Sequence, residues 1–156
     1  MASTDDLRSG DMNDITALVA NDHAYVRQVL SEATRPTDTP GVRRELVAQL
    51  VSAWATHSAA ERLVVYGEAG AALGAEPVER ATRLHDALDR LMTDLRGDAT
   101  DEQLAAVGHL VDDHIHMVET DLLQALGDVA PSRLAPMAGQ WAQAVEAASG
   151  LTKPAD

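Results

Sequence analysis

The 156-residue sequence contains no cysteine, so disulfide bonds, thiolate nucleophiles and zinc–thiolate sites are all excluded. It also contains no phenylalanine and only two tryptophans and two tyrosines. Period-two runs of β-branched and aromatic residues, which are typical of strands, are absent. Apolar residues still make up 46% of the chain, as in an ordinary globular protein. These features predict an all-α domain with a core dominated by Ala, Leu and Val.

Basic residues are scarce, with 12 Lys and Arg against 25 Asp and Glu, and the formal charge is −13 at pH 7. Nucleic acids and anionic membranes both require basic patches, so neither is an expected partner. No apolar run reaches the roughly 18 residues that span a bilayer. The first six residues lack the basic and apolar regions of a signal peptide. We therefore expect a cytoplasmic protein, and the sequence identifies no protein partner.

Turn and capping residues divide the chain into four long helical segments and a shorter fifth one. The predicted helices cover about residues 12–33, 42–69, 77–96, 101–126 and 131–149. Asp11 or Asn13 could cap the first, Gly70 begins the break after the second, and Thr100 with Gln103 forms a capping box before the fourth. Short connections predict an antiparallel up-down-up-down four-helix bundle with a short additional C-terminal helix. We expect a flexible leader (1–11), one domain (12–150) and a tail (151–156).

Each of the four long helices carries one histidine within an otherwise apolar stripe. In the second helix the stripe recurs at helical spacing, and its members are Leu46, Leu50, Ala53, His57, Ala60 and Val64. The four histidines are His23, His57, His85 and His114. Glu61 lies one turn after His57 on the same face, and a buried charge without a partner is costly. A metal ion suits both groups, and such nitrogen and oxygen ligands favour iron, manganese or zinc.

A histidine in an apolar stripe is, taken singly, more often a hydrogen-bonded core residue than a ligand. Four at comparable depth, one on each helix, are difficult to explain as separate core residues. The motifs are Asn21-Asp-His23, His57-x3-Glu61, Leu84-His85 and His114-x4-Glu119. Over residues 12–126 this order resembles the hemerythrin family, in particular the bacterial HHE cation-binding domains.

The resemblance implies a non-haem di-iron centre. Glu61 and Glu119 would bridge two iron ions, which can share an oxo group, and the four histidines would complete their shells. Manganese or zinc is the less favoured occupant.

Two positions depart from the family pattern. Oxygen-carrying members have a second histidine one turn before the position of His85, where this chain has Ala81. One metal would therefore have an open position, where small molecules bind and react. Many members have a glutamate at Val118, so the bridging role is assigned to Glu119 instead. His116 lies about 200° around the helix from His114 and is not an expected ligand.

Four other polar side chains lie close to these candidates in sequence. Asp22 could orient a liganding histidine through its second ring nitrogen, or it could be exposed. Tyr66 could hydrogen-bond beside the site or pack at the bundle end. Glu79 and His109 are interpreted as solvent-facing residues, although Glu79 could also replace the missing histidine.

The resemblance implies a function at an open di-iron site whose ligand is a small diatomic molecule or peroxide. The favoured hypothesis is oxidoreductase chemistry on dioxygen, peroxide or nitric oxide, as an oxidase, peroxidase or catalase-like enzyme. The first alternative is reversible oxygen binding or sensing, or iron sensing or storage, without turnover. The second is a helical interaction module with structural histidines. Ala81 counts against a simple carrier, because an additional open position favours reaction.

Overall fold

The computed structural model describes residues 14–39, 41–95, 97 and 99–152, and this part of the chain is helical without a strand. The elements are α1 (Ile15–Thr34), α2 (Val42–Leu73), α3 (Ala75–Asp94), α4 (Asp101–Met117), a π-helical turn (Val118–Leu122), α5 (Leu123–Leu126) and α6 (Pro131–Thr152). The predicted all-α class is confirmed. The predicted leader and the last four residues of the tail lie outside the described residues.

Polar side chains cap the first turns of α1 and α4. Asp14 caps α1, because its carboxylate accepts a hydrogen bond from the Thr16 N–H at 2.9 Å. The expectation that an earlier residue caps this helix was therefore wrong. At α4 the predicted capping box is confirmed: the Gln103 N–H donates to the Thr100 hydroxyl, and the Thr100 N–H donates to the Gln103 side chain.

The second helix is longer than predicted, since it passes through Gly70 and ends at Leu73. A Cβ atom at Gly70 would lie 3.5 Å from the Val78 side chain, so this glycine faces α3 closely. Glycine inside a helix costs only about 1 kcal/mol relative to alanine, which tertiary packing can offset. The break falls at Gly74, whose φ of +88° is strained for other residues.

The last helix is also longer than predicted. It spans 22 residues and is not a short appendage. It packs along α2 and also touches α1. Over residues 131–150 its buried side chains are Met137, Ala138, Trp141 and Ala144. Thus α6 covers one side of the other helices instead of extending away from them.

Helices α1 to α4 enclose a common interior. Consecutive helices from α1 to α4 are in contact, and α1 also contacts α4, so the four close a ring. The predicted stripe of α2 faces this interior: Leu50, Ala60 and Val64 are buried, whereas Leu46 and Ala53 are half-buried. The apolar residues at helical spacing around the other three histidines are also buried, namely Val19 and Val26 in α1, Leu88 and Met92 in α3, and Val107 and Val111 in α4. None of the described helices is long and apolar enough to cross a membrane.

A polar layer divides the interior into two apolar clusters. Along α1, Val19 belongs to one cluster and Val26 to the other, with His23 between them. The same order recurs in α4, where His114 lies between Val111 and Val118. The buried polar and charged residues of the described chain are His23, His57, Ser58, Glu61, His85 and His114. The fold therefore places the candidate residues at one level of the interior.

The contribution of α6 can be tested with Trp141→Ala. Trp141 is 4% exposed in the cluster that joins α6 to α1 and α2, so its loss should lower the free energy of unfolding by about 3–5 kcal/mol. Urea denaturation measures this change. Leu63→Ala is the control, because Leu63 is 75% exposed and should change stability by no more than about 0.5 kcal/mol. Equal small effects would mean that α6 does not pack as described.

Candidate metal centre

Three imidazole rings surround one carboxylate oxygen at the centre of the polar layer. Glu61 Oε2 lies 2.6 Å from His57 Nε2, 3.4 Å from His23 Nε2 and 3.5 Å from His114 Nε2. The carboxylate of Glu61 is 0% exposed. One possible ligand atom from each of these four residues lies within 4.8 Å of all the others. This compact group, supplied by α1, α2 and α4, could hold a metal ion.

Several atoms of the layer are buried without a hydrogen-bond partner. They include Glu61 Oε1, His85 Nε2 and His114 Nδ1, and the other ring nitrogen of His114 has only the 3.5 Å approach to Glu61. Each unsatisfied buried polar group costs about 1–3 kcal/mol. A cation would pair these nitrogen and oxygen lone pairs, and a mixed imidazole and carboxylate set suits iron, manganese or zinc. The residues present therefore fit a transition-metal site.

His85 lies in the same layer but outside the compact group of four. Its ring stacks on that of His114, with 4.4 Å between the ring centroids. Its Nδ1 is 2.7 Å from the Tyr66 hydroxyl, and its Nε2 is the atom left without a partner. Tyr66, which was expected either beside the site or at the bundle end, is therefore a direct partner of His85.

The π-helical turn explains how both His114 and Glu119 reach the layer. In a regular α-helix, residues five apart point about 140° away from each other. At Val118 the hydrogen bonding changes, and the Leu123 N–H donates to the carbonyl of Val118 five residues earlier. Glu119 Oε1 then lies 3.0 Å from His23 Nδ1, although the side chain remains 39% exposed. Glu119 thus contacts the layer from its edge.

Two tryptophans border the histidines, and neither was predicted from the sequence. The Trp54 ring lies 5.0–5.4 Å from the rings of His57, His85 and His114, and its Nε1 donates to Asp89 at 2.7 Å. Trp54 precedes His57 by three residues, so the helical spacing could have indicated it. The Trp141 ring lies 5.9 Å from His57 and belongs to α6, for which no local pattern indicates proximity.

The remaining polar candidates differ in their exposure to solvent. Asp22 Oδ2 is 3.5 Å from His57 Nδ1, so Asp22 does approach a candidate ligand. Glu79 and His109 are exposed, as predicted, and so is His116. Ala81 is 0% exposed within an apolar cluster that also contains Val118. Among the described residues around Ala81, no polar side chain takes the place of the histidine that the family pattern has there.

Burial and mutual contacts shift the pKa values of the layer in opposite directions. Burial alone would lower the pKa of His57, but its contacts with Glu61 and Asp22 outweigh burial and raise the pKa to about 9. Burial would raise the pKa of Glu61, but the surrounding histidines hold it well below its usual value. Burial lowers the pKa of His85 to about 2 and also lowers that of His114. The metal-free site therefore contains a His57–Glu61 ion pair beside the neutral imidazoles of His85 and His114.

The fold and the site together define a class: an all-helical domain with a buried histidine–carboxylate cluster able to hold a cation. The family described as Hemerythrin HHE cation binding domain matches residues 14–126. The chain therefore belongs to the hemerythrin HHE cation-binding family. The match extends from the cap of α1 to the end of α5 and leaves α6 outside. No curated protein and no solved structure gives a significant match.

The metal-free protein should be most stable near the ordinary histidine pKa of 6.5. Below it, the unfolded chain protonates His85 whereas the folded chain does not until about pH 2, so stability falls as pH falls. Above it, the unfolded chain loses the His57 proton first, so stability falls as pH rises towards about 9. Urea denaturation of chelator-treated protein across this range measures both limbs.

The fall in stability below pH 6.5 can be assigned to His85 with one substitution. His85→Leu should reduce its slope by up to about 1.4 kcal/mol per pH unit, because this group then no longer takes up a proton on unfolding. His109→Leu, at an exposed position, should leave the slope unchanged. If the two variants share one profile, burial does not suppress the charge on His85.

Proposed function

We propose that the protein is a non-haem di-iron protein that binds and reacts with dioxygen, peroxide or nitric oxide. The observation that carries the proposal is the convergence of three imidazole Nε2 atoms on one buried oxygen of Glu61. Membership of the cation-binding family supports a resident metal, and the donor set supports iron. The closed ring of helices and the single glycine between α2 and α3 support the up-down-up-down bundle.

In this proposal the compact group and its neighbours divide between two ions. His23 and His57 would hold one ion, and His85 and His114 would hold the other. Glu61, which touches three of these rings, and Glu119, which touches His23, would supply carboxylate oxygens to the centre. The free Nε2 of His85 supports its assignment, because its Nδ1 is already engaged by Tyr66.

The chain's own residues prepare this site for small ligands. Iron, when bound, supplies Lewis-acid and redox chemistry at any position the protein leaves open. The apolar surroundings of Ala81 supply no further ligand, which supports an open position on the His85 side. Trp54 and Trp141 keep water from the histidines, and the Tyr66 hydroxyl fixes the orientation of the His85 ring. Reaction is therefore favoured over simple carriage of oxygen.

The alternative of a helical interaction module with structural histidines fits the site less well. Structural core histidines are hydrogen-bonded, because an unpaired ring nitrogen is costly to bury. Here His114 Nδ1 and His85 Nε2 are buried without a hydrogen-bond partner. Oxygen sensing and iron storage would use the same metal-ligating residues. The proposed function differs from them in catalytic turnover.

The ligand assignment predicts different metal contents for two histidine variants. His57→Ala removes a ring in contact with Glu61 and should lose most of the bound iron. His109→Ala removes an exposed ring on α4 and should retain the wild-type content. Elemental analysis of aerobically purified full-length protein provides the comparison. Equal iron content in the two variants would overturn the assignment.

The reaction is tested by combining metal content with absorption spectroscopy. We expect about two irons per chain and ferric charge-transfer absorption in the near ultraviolet. Adding hydrogen peroxide should change this spectrum rapidly, with consumption of many peroxide molecules per centre. Reversible spectral changes on adding and removing dioxygen, with no peroxide consumption, would favour the carrier or sensor instead. A protein that takes up no iron on reconstitution would contradict the proposal.

A further inference from the structure

A groove of about 520 Å³ lies outside the polar layer, between α1 and α2 and beside Val145 of α6. Its volume falls within the range of small-molecule sites in proteins. Alanines at positions 48 and 53 leave room between the two helices. Part of its wall comes from α6, which lies outside the family match. The groove therefore includes a side chain from outside the matched region.

The lining of the groove defines the chemistry of a ligand. Tyr25 lines it and is 50% exposed, so a large aromatic ring is available for stacking. Val26 and Val145 add apolar surface, and Ser52 adds a hydroxyl group. Asp22 is the one charged residue among the described residues that line it. Such a site suits an uncharged aromatic molecule that donates a hydrogen bond, and it disfavours anions.

Asp22 also connects the groove to the polar layer. The carboxylate that lines the groove lies 3.5 Å from His57 Nδ1, and the His57 Nε2 lies 2.6 Å from Glu61. A molecule hydrogen-bonded to Asp22 would therefore be separated from a candidate ligand by a single carboxylate. This short separation suits an electron donor, because the groove opens to solvent whereas the histidines are closed to it.

We propose that this groove binds a small phenol, with its hydroxyl group towards Asp22 and its ring against Tyr25, as the reducing co-substrate. The proposal rests on the proposed function, with hydrogen peroxide as the oxidant. Two phenols each lose one electron and the hydroxyl proton, which passes to solvent, and become phenoxyl radicals. The two electrons and two protons reduce one peroxide, whose O–O bond breaks to give two waters.

The test measures binding of 4-methylphenol to the iron-loaded full-length protein by isothermal titration calorimetry. Ser52→Phe fills the groove from an exposed position of α2, and it should weaken binding at least about tenfold. Ala55→Phe is the matched control, since Ala55 is exposed on the same helix and does not line this groove. It should bind the phenol like the wild type.

Two probe molecules test the role of Asp22 without altering the centre. Toluene lacks the hydroxyl group, and 4-methylbenzoate carries a negative charge, so both should bind at least about tenfold more weakly than 4-methylphenol. Equal binding of 4-methylbenzoate, or equal effects of the two phenylalanine variants, would overturn the proposal. So would the absence of binding to the wild type.

Turnover then separates this proposal from the proposed function. Oxidation of 4-methylphenol by peroxide should be lost in Ser52→Phe, while the iron content and the direct spectral response to peroxide should match those of Ala55→Phe. If wild-type protein reduces peroxide without oxidising a bound phenol, the co-substrate assignment fails and the proposed function stands. If phenol binds with the expected pattern but iron or peroxide reactivity is absent, the proposed function fails and the binding groove stands.

Discussion

The structure depends on a carboxylate that is fully removed from water and held by imidazoles. An isolated buried charge is too costly to persist, so Glu61 requires partners from outside its own helix. His57 comes from the same helix, whereas His23 and His114 bring α1 and α4 to the same point. Three helices therefore meet at one buried carboxylate, and the two apolar clusters pack on either side of it.

The same arrangement balances stability against function. Replacing the layer with apolar side chains would remove the desolvation cost, and buried ion pairs are often less stabilising than such replacements. The layer instead leaves ring nitrogens unpaired at the level where the two clusters separate. A protein selected only for stability would have little reason to keep them, whereas a cation-binding protein needs them. Metal binding would thus stabilise the folded state, because it would pair the ring nitrogens that the layer leaves unpaired.

The helices and the four histidines were predictable because both follow from helical spacing. His85 was identified by its apolar neighbours on one face, and the structure places it in the layer, 0% exposed. The orientation of Glu119 was not predictable in this way, since it depends on a change of hydrogen bonding within one turn. The continuation of α2 through Gly70 depends on contact with α3, and the position of Trp141 depends on how α6 docks. Such long-range packing leaves no local periodic signal.

The placement of the indole rings has an optical consequence. The chain has two tryptophans, and each lies within 6 Å, between ring centroids, of at least one histidine of the layer. All of its tryptophan emission therefore originates beside the candidate centre, from one indole in the ring of helices and one on α6. A bound ion that quenches fluorescence would reduce the emission of Trp54 and Trp141 together, whereas undocking of α6 would change only the emission of Trp141. The two tryptophans thus form an intrinsic probe that distinguishes metal binding at the centre from undocking of α6.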